Sequence, residues 1–378
     1  MRFTRLLLLV FLPLHAFAQA FEYATSIQLD EHPMSIRGAA MGGVSDDDPA
    51  LNPASLATLQ RPMLALGATR VEYELTGFVN TLTKDAIAPA YALAAAPIGE
   101  HLAVSAHYRA EPKLLGARGI RPDGTRIYEP PCGIDAVHCG YVAIGYAEPM
   151  FERDDRRYGV SATWKQNTLA FGAGAELHEL DEATTAFGMT MGDADLLVTR
   201  VKGREIVPNA GVRWQPSPRI AVAAAYNGAA TFAATRDACN LSEELPYECT
   251  SMYVRIGATT MKMPDAIRAS ITVAPLDALV LVAEAVRRNY GAQGDHLRDV
   301  TELHAGAEYR YGTVAVRGGW WRDPARHDIA MFPGSIALDH YTVGAGFDVA
   351  ENARFDVAVD HAKVPALRRV SAGITFGR

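Results

Sequence analysis

The chain has 378 residues, with 36 Lys and Arg against 43 Asp and Glu, so its formal net charge is −7. Hydrophobic residues make up 49% of it and charged residues 21%, and it has 4 cysteines. This composition excludes a disordered chain and a small disulfide-rich scaffold, and the mild acidity argues against nucleic acid as a partner.

The first eighteen residues have the pattern of a secretory signal peptide. Arg2 and Arg5 precede an apolar run at 6–12, and small residues at 16–18 provide a cleavage motif. A membrane anchor is disfavoured, because the run is too short to cross about 30 Å of hydrocarbon. Segment 1–18 therefore predicts export, either of a soluble periplasmic protein or of an outer-membrane barrel.

Residues 19–61 show no clean alternation of apolar and polar positions. Glycines there allow tight or left-handed backbone, and an Asn-Pro-Ala box suits a rigid turn that starts a helix. The distinctive residues of the segment, in chain order, are Arg37, Gly42, Gly43, Asp46, Asp47, Asp48, Asn52, Pro53 and Ala54. A loose periplasmic tail is an alternative that these residues leave open.

From residue 62 onward, apolar and polar side chains alternate in short stretches. In 101–109, Val104 and Tyr108 share one face while His107 and Arg109 share the other. This period of two is that of a β-strand. In a soluble sandwich the polar face would meet water, whereas in a membrane barrel the apolar face meets lipid and the polar face lines the lumen.

The connections favour the membrane barrel, because short and long ones alternate, as in outer-membrane barrels. The short turns are expected at 97–100, 152–157, 215–218, 274–277, 311–312 and 350–352. The long connections are expected near 110–138, 167–204, 228–264, 290–299 and 323–337.

This order predicts an all-β fold, a transmembrane antiparallel β-barrel of about 14 strands within 62–378. An even number of strands closes such a barrel, and closure leaves no unpaired edge in the lipid. The predicted strands are 62–75, 86–96, 101–109, 139–148, 157–166, 205–214, 219–227, 265–274, 278–289, 300–310, 313–322, 338–349, 353–363 and 369–377.

The cysteines fall as two sequence-local pairs, Cys132 with Cys139 and Cys239 with Cys249, each in or beside a predicted outer loop. Disulfides between these neighbours are the simplest expectation in an oxidising compartment, although four cysteines allow three pairings. His138 adjoins Cys139, but nothing completes a ligand set at metal-binding spacing, so we expect no metal.

Ser105 and His107 lie two residues apart on one strand face, which permits a hydrolase hypothesis. No Gly-x-Ser-x-Gly turn surrounds a serine, and the sequence assigns no third residue to orient His107. We therefore expect neither enzymatic activity nor a cofactor, and an outer-membrane hydrolase is a lesser alternative.

The segment before the first strand resembles that of the FadL-type outer-membrane transporters, a family of long-chain fatty acid and aromatic hydrocarbon channels. The similarity rests on Arg37, Gly42-Gly43, the acidic cluster and the Asn52-Pro53-Ala54 box, and the phrase at 316–320 adds to it. It implies that residues 19–61 form a plug, or hatch, inside a fourteen-stranded barrel in the outer membrane of a Gram-negative bacterium.

The resemblance also implies passive uptake of a hydrophobic compound, such as a long-chain fatty acid. In the family, the compound leaves through a lateral gap at a kinked early strand, but the third strand, 101–109, has no internal Gly or Pro. Outer-membrane lipid and a hydrophobic small molecule are the expected partners. Related barrels serve secretion or assembly, which is the alternative function.

If the ligand is an amphipathic acid, a cation of the lumen should meet its carboxylate, as a charge-assisted pair. The alternation of side chains along each strand predicts that the candidate cations face the lumen. Which of them would form the site stays open. These candidate substrate-binding residues are His107, Arg109, Lys165, Arg213, Arg268 and Arg317.

Overall fold

The computed structural model describes the chain in several ranges between residues 35 and 377. These ranges are 35–76, 81–110, 114–115, 151–190, 193–240, 254–290, 298–325, 337–362 and 366–377. The expected signal peptide 1–18 and the predicted strand 139–148 lie outside them. Of the cysteines, only the backbone of Cys239 is described, so the disulfide pairing stays a prediction.

The described strands form one antiparallel sheet that closes on itself. β17 pairs with β1 from Leu64↔Phe376 to Glu74↔Ala366, which leaves no open side in the ring. The strands are β1 (Met63–Thr76), β2 (Thr81–Ile98), β3 (Leu102–Ala110), β4 (Leu114–Leu115), β5 (Phe151–Gln166), β6 (Leu169–Thr190), β7 (Asp193–Ser217), β8 (Ile220–Asn227), β9 (Ala230–Asn240), β10 (Val254–Met263), β11 (Ala266–Leu276), β12 (Leu279–Arg288), β13 (Val300–Tyr311), β14 (Val314–Asp323), β15 (Leu338–Ala350), β16 (Ala353–Ala362) and β17 (Ala366–Phe376).

Three pairs of these strands continue one another, so the closed wall has 14 strand positions, as predicted. β3 and β4 follow each other along β5, and β8 and β9 follow each other along β7. β10 and β11 in turn follow each other along β9 and β8. The end of the barrel with the turns at 99–101, 167–168, 218–219, 277–278, 312–313 and 351–352 is called the short-turn rim below.

Three of the predicted connections are wrong. The charged stretch 152–157 lies inside β5, 167–204 contains β6 and the first half of β7, and 228–264 contains β9 and β10. β6 and β7 are far longer than the roughly 10 residues that cross a bilayer. Their outer parts carry charges on the outward face, such as Glu179 with Arg204 at 2.6 Å. The lipid-facing alternation that identifies a spanning strand is therefore lost there.

Burial in the wall is inverted relative to a soluble protein. Large apolar side chains face outward, with Val160 61% and Val343 59% exposed. Charged and polar side chains face inward and are buried, with His340 at 0%, Glu302 at 1% and Arg268 at 2%. An outward apolar face around a polar interior is the arrangement of a barrel that meets lipid.

Residues 35–61, called the inner segment below, fold as two short helical turns. α1 spans Ile36–Ala40, and Ser35 Oγ caps it by accepting a hydrogen bond from Gly38 N (3.1 Å). A 3-10 helix spans Pro53–Thr58 and begins as the Asn-Pro-Ala box predicted, with Asn52 as its N-cap. No helix in the described ranges is long and apolar enough to cross a membrane.

The inner segment packs against the inward face of the wall so closely that the two backbones are in contact. Gly42 has a φ of +77°, and a Cβ there would lie 2.5 Å from Ala305 O and 2.7 Å from Trp320 O. Across this contact, a Cβ on Gly306 would collide with the carbonyl oxygen of Met41. Glycines on both sides therefore allow the segment to sit within the ring of strands, against β13 and β14.

Candidate functional site in the lumen

Wall side chains bind the inner segment through its backbone at several points around the ring. Thr342 Oγ1 on β15 accepts from Gly42 N and donates to Ala40 O, both at 2.9 Å. On the far side of the ring, Asn209 Nδ2 on β7 donates to Ala50 O at 2.9 Å. Contacts to opposite sides of the wall hold the segment across the lumen rather than along one strand.

Arg37 is the main charged link between the inner segment and the wall. Its guanidinium lies 3.1 Å from Glu308, 3.2 Å from Asp46 and 3.4 Å from Asp47. Burial alone lowers the pKa of Arg37, but the three carboxylates outweigh burial and raise this pKa above its ordinary value. Burial raises the pKa of Asp46, against the opposing effect of Arg37. Arg37 is therefore positively charged and paired with three carboxylates.

Two of the candidate cations share one carboxylate. His107 Nε2 lies 2.8 Å from Glu176 Oε1, and Arg109 donates to both oxygens of Glu176 at 2.9 and 2.6 Å. All three side chains are buried on the inward face of β3 and β6. The structure thus supplies the partner of His107 that sequence reasoning lacked.

The remaining candidate cations are spread around the ring. Arg268 pairs with Glu284 at 3.2 Å, and Arg317 bridges Glu308 and Asp356 at 2.6 and 2.7 Å. Arg213 on β7 donates to Asp46 O at 3.5 Å. The strand parity that assigned them to the lumen was correct for these buried residues, but they do not converge on one carboxylate site.

Lys165 lies near the short-turn rim. Its side chain is exposed, and Nζ donates to Ala57 O of the inner segment at 3.2 Å. A role in ligand binding for Lys165, as for the other candidate cations, stays a prediction.

Ser105, His107 and Glu176 supply the residue types of a hydrolytic triad. Within the described residues, Ser105 Oγ and His107 Nδ1 are buried without a hydrogen-bond partner. Ser105 is only 6% exposed, and Glu176 is already bound by Arg109 through two hydrogen bonds. The arrangement fits a buried ion network better than a nucleophile that a substrate must reach.

A cavity of about 500 Å³ lies between the inner segment and the wall, toward the short-turn rim. This volume is within the range of small-molecule sites. Its apolar lining comes from the inner segment and from β1 and β2, namely Ile36, Leu56, Leu59, Met63, Ala65, Tyr91 and Leu93. Its charged lining is Arg37, Asp47, Asp48, Arg61 and Asp356.

The wall beside this cavity contains a β-bulge. In the β1–β2 ladder, Gly67 pairs with Tyr91 but the next residue, Ala68, pairs with Pro89. Proline has no N–H to donate to a ladder, and a bulge bends the strand that carries it. A Cβ on Gly67 would collide with the Tyr91 ring, so this ring lies directly over the glycine. The irregularity is thus on the second strand, whereas sequence reasoning looked for a kink on the third.

No protein-family model and no curated protein matches this sequence. Among solved structures, the toluene transporter TbuX of Ralstonia pickettii is 18% identical, with a TM-score of 0.64 over 93% of this chain and 99% of that chain. A FadL homologue of Pseudomonas aeruginosa is 14% identical, with a TM-score of 0.65 over 91% and 96%. The toluene transporter TodX of Pseudomonas putida is 14% identical, with a TM-score of 0.64 over 92% and 98%.

These similarities cover nearly the whole of each chain, and the solved neighbours are transport channels rather than enzymes. At identities this low they establish the architecture. The chain has the FadL-type transporter fold, as the resemblance of its N-terminal segment predicted.

Proposed function

We propose that this chain is an outer-membrane channel for the passive uptake of hydrophobic compounds, with residues 19–61 as its plug and 62–378 as its barrel. The outward apolar face supports the membrane location, because lipid is the solvent in which side chains such as Val160 and Val343 are stable while exposed. The signal-peptide pattern at 1–18 supports export to that membrane.

The observation that carries the proposal is the cavity of about 500 Å³ between the inner segment and β1, β2, β16 and β17. It interrupts the packing that otherwise joins plug and wall, and its lining reaches from Arg37 to Gly377, at the short-turn rim. A barrel with a purely structural or assembly role has no need of such a space. A transported molecule would move past the plug by way of this cavity.

The charges of the cavity favour an uncharged apolar ligand over a fatty acid. Three carboxylates, Asp47, Asp48 and Asp356, line the cavity together with two arginines, Arg37 and Arg61, so the formal charge of the lining is −1. A ligand carboxylate would meet net negative charge there, at a cost that low water content increases. TbuX and TodX are described as toluene transporters, and a small aromatic hydrocarbon also fits this cavity.

The proposal is tested with two tryptophan variants of neighbouring residues on β2. Leu93 is 6% exposed and lines the cavity, whereas Ala94 is exposed on the outward face. Leu93→Trp should fill the cavity and reduce the uptake of radiolabelled toluene by intact Gram-negative cells. Ala94→Trp should leave uptake unchanged. Equal uptake by the two variants and by wild type would contradict a route through the cavity.

A further inference from the structure

Three cations on the outward face of the wall end its apolar belt on β14, β16 and β17. On each of these strands the outward positions nearest the short-turn rim are uncharged, and the first charged or titratable one is Arg322, His361 or Arg368. All three side chains are exposed. The stretch 314–322 of β14, for example, is close to the length of about 9–11 residues with which a tilted strand crosses a bilayer.

Strand register places the three cations at nearly the same height, beside two aromatic side chains. Trp320 pairs with Tyr341, Tyr341 with His361, and His361 with Arg368. These residues form one row across four adjacent strands, and Arg322 is the next outward residue of β14. Because tryptophan and tyrosine are enriched where hydrocarbon meets headgroups, the row marks the boundary of the apolar belt away from the short-turn rim.

These cations differ from other outward cations near this boundary in having no counter-ion. Arg156 lies 2.5 Å and Arg204 lies 2.6 Å from a carboxylate oxygen on β5 and β6, respectively. Within the described ranges, the side chains of Arg322, His361 and Arg368 form neither an ion pair nor a hydrogen bond. We call these three residues the outer cation patch. Their charged groups are available to an anion beside the wall.

Two carboxylates lie next to the outer cation patch, but neither is paired with it. Asp339 on β15 accepts a hydrogen bond from Trp320 Nε1 at 3.2 Å. Glu72 on β1 makes no ion pair with the patch among the described contacts. Arg70 also faces outward on β1. The three arginines and two carboxylates of this surface give a formal charge of 3 − 2 = +1, before any charge on the histidine.

We propose that the outer cation patch binds the phosphate groups of lipopolysaccharide, the phosphorylated glycolipid of the outer leaflet. The inference rests on the proposed function, because it uses the outer-membrane location and takes the short-turn rim as the periplasmic end. Arginine binds phosphate through charge-assisted, forked hydrogen bonds, and basic clusters at the edge of an apolar face recognise anionic lipids. Bound lipid would fix the height of the barrel in its membrane.

The width of the patch favours a headgroup with two phosphates over a simple phospholipid. β14 and β17 are three strand spacings apart, so Arg322 and Arg368 are separated by roughly 14 Å across the sheet. Lipid A, the membrane part of lipopolysaccharide, has a phosphate at each end of a disaccharide, whereas phosphatidylglycerol has one phosphate. The acyl chains would lie along exposed side chains of the belt such as Val343.

Native mass spectrometry of the detergent-solubilised protein, titrated with lipid A, measures an apparent Kd. Wild type should bind lipid A several-fold more tightly than the same lipid without its phosphates, and more tightly than phosphatidylglycerol. Arg322→Gln/Arg368→Gln should weaken lipid A binding roughly tenfold. Arg156→Gln/Arg204→Gln is the control, because it removes the same charge from paired cations, and its affinity should equal that of wild type.

Several results would overturn the proposal. One is equal affinity of wild type for lipid A with and without phosphates, a comparison that needs no variant. Another is unchanged binding by folded Arg322→Gln/Arg368→Gln, with folding verified by heat-modifiable migration, or an equal loss in the control. Tighter binding of phosphatidylglycerol would overturn the choice of lipopolysaccharide.

Uptake of radiolabelled toluene by intact cells keeps this inference separate from the proposed function. If the lipid A test fails while the protein still accelerates toluene uptake, the patch is overturned and the channel function stays intact. If lipid A binds as expected but the protein does not accelerate toluene uptake, the channel function is overturned and the lipid site stands.

Discussion

Arg37 Nε lies 3.1 Å from Glu308 Oε2, and this contact joins the inner segment to the wall across 271 positions of sequence. Glu308 in turn accepts from Arg317 at 2.6 Å, and Arg317 reaches Asp356 at 2.7 Å. The inner segment is therefore held by a buried chain of alternating charges. Each member depends on its neighbours, because an unpaired buried charge costs several kcal/mol.

Arg37→Met should destabilise the folded barrel. It leaves Asp46 and Glu308 buried without this partner, and the expected loss in the free energy of unfolding is about 3–5 kcal/mol. The control is Arg156→Met, which removes an exposed pair with Asp154 and should cost at most about 1 kcal/mol. Urea titration of the detergent-solubilised proteins measures both. Equal losses would contradict a special role for the buried link.

Deletion of residues 20–55 should raise the conductance of the protein to small ions in planar bilayers. These residues include most of the inner segment, which contacts β7 and β15 on different sides of the ring. Heat-modifiable migration on a gel verifies that the shortened barrel is folded. Conductance equal to that of wild type would mean that the segment does not obstruct the pore.

Gly42→Ala should destabilise the folded protein more than Gly99→Ala, which changes a glycine in a turn. Both Gly42 (φ +77°) and Gly99 (φ +67°) have left-handed backbone, so alanine at either costs about 1–2 kcal/mol in strain. Only at Gly42 would the new Cβ collide with the wall, since at Gly99 nothing lies within 4 Å. Unfolding in urea should therefore separate the two variants. Identical unfolding curves would contradict the close packing of the inner segment against the wall.

Val343→Arg tests which face of the wall meets lipid. Val343 is 59% exposed near the middle of β15, and Val349 is 60% exposed close to the short-turn rim. An arginine near the bilayer midplane costs about 2–4 kcal/mol, and one near the interface costs about 0–1 kcal/mol. Folding into lipid vesicles should thus suffer more in Val343→Arg than in Val349→Arg. The opposite order would contradict this placement of the membrane.

Strand positions could be predicted where lipid lies on one side of the wall and the lumen on the other. Along β15, for example, Tyr341 and Val343 face outward while His340 and Thr342 are buried. The prediction missed all of β6 and the part of β7 before residue 205. In the outer parts of both strands, outward residues such as Arg204 meet water and the alternation disappears.

The site itself was only partly predictable. Parity assigned Arg109 and Arg268 to the lumen, but their partners Glu176 and Glu284 lie on other strands, and a single sequence does not reveal register between strands. The cavity joins distant stretches, 35–65, 91–93 and 356–377. No local pattern marks such a space, although Pro89 within a strand was a signal that its wall is irregular.

The most direct test of the central claim compares the uptake of radiolabelled toluene and radiolabelled palmitate by intact Gram-negative cells with and without the protein. We predict that the protein accelerates the uptake of toluene, and that of palmitate less or not at all, because carboxylates line the cavity. Uptake of both compounds at the rate of cells without the protein would contradict the account.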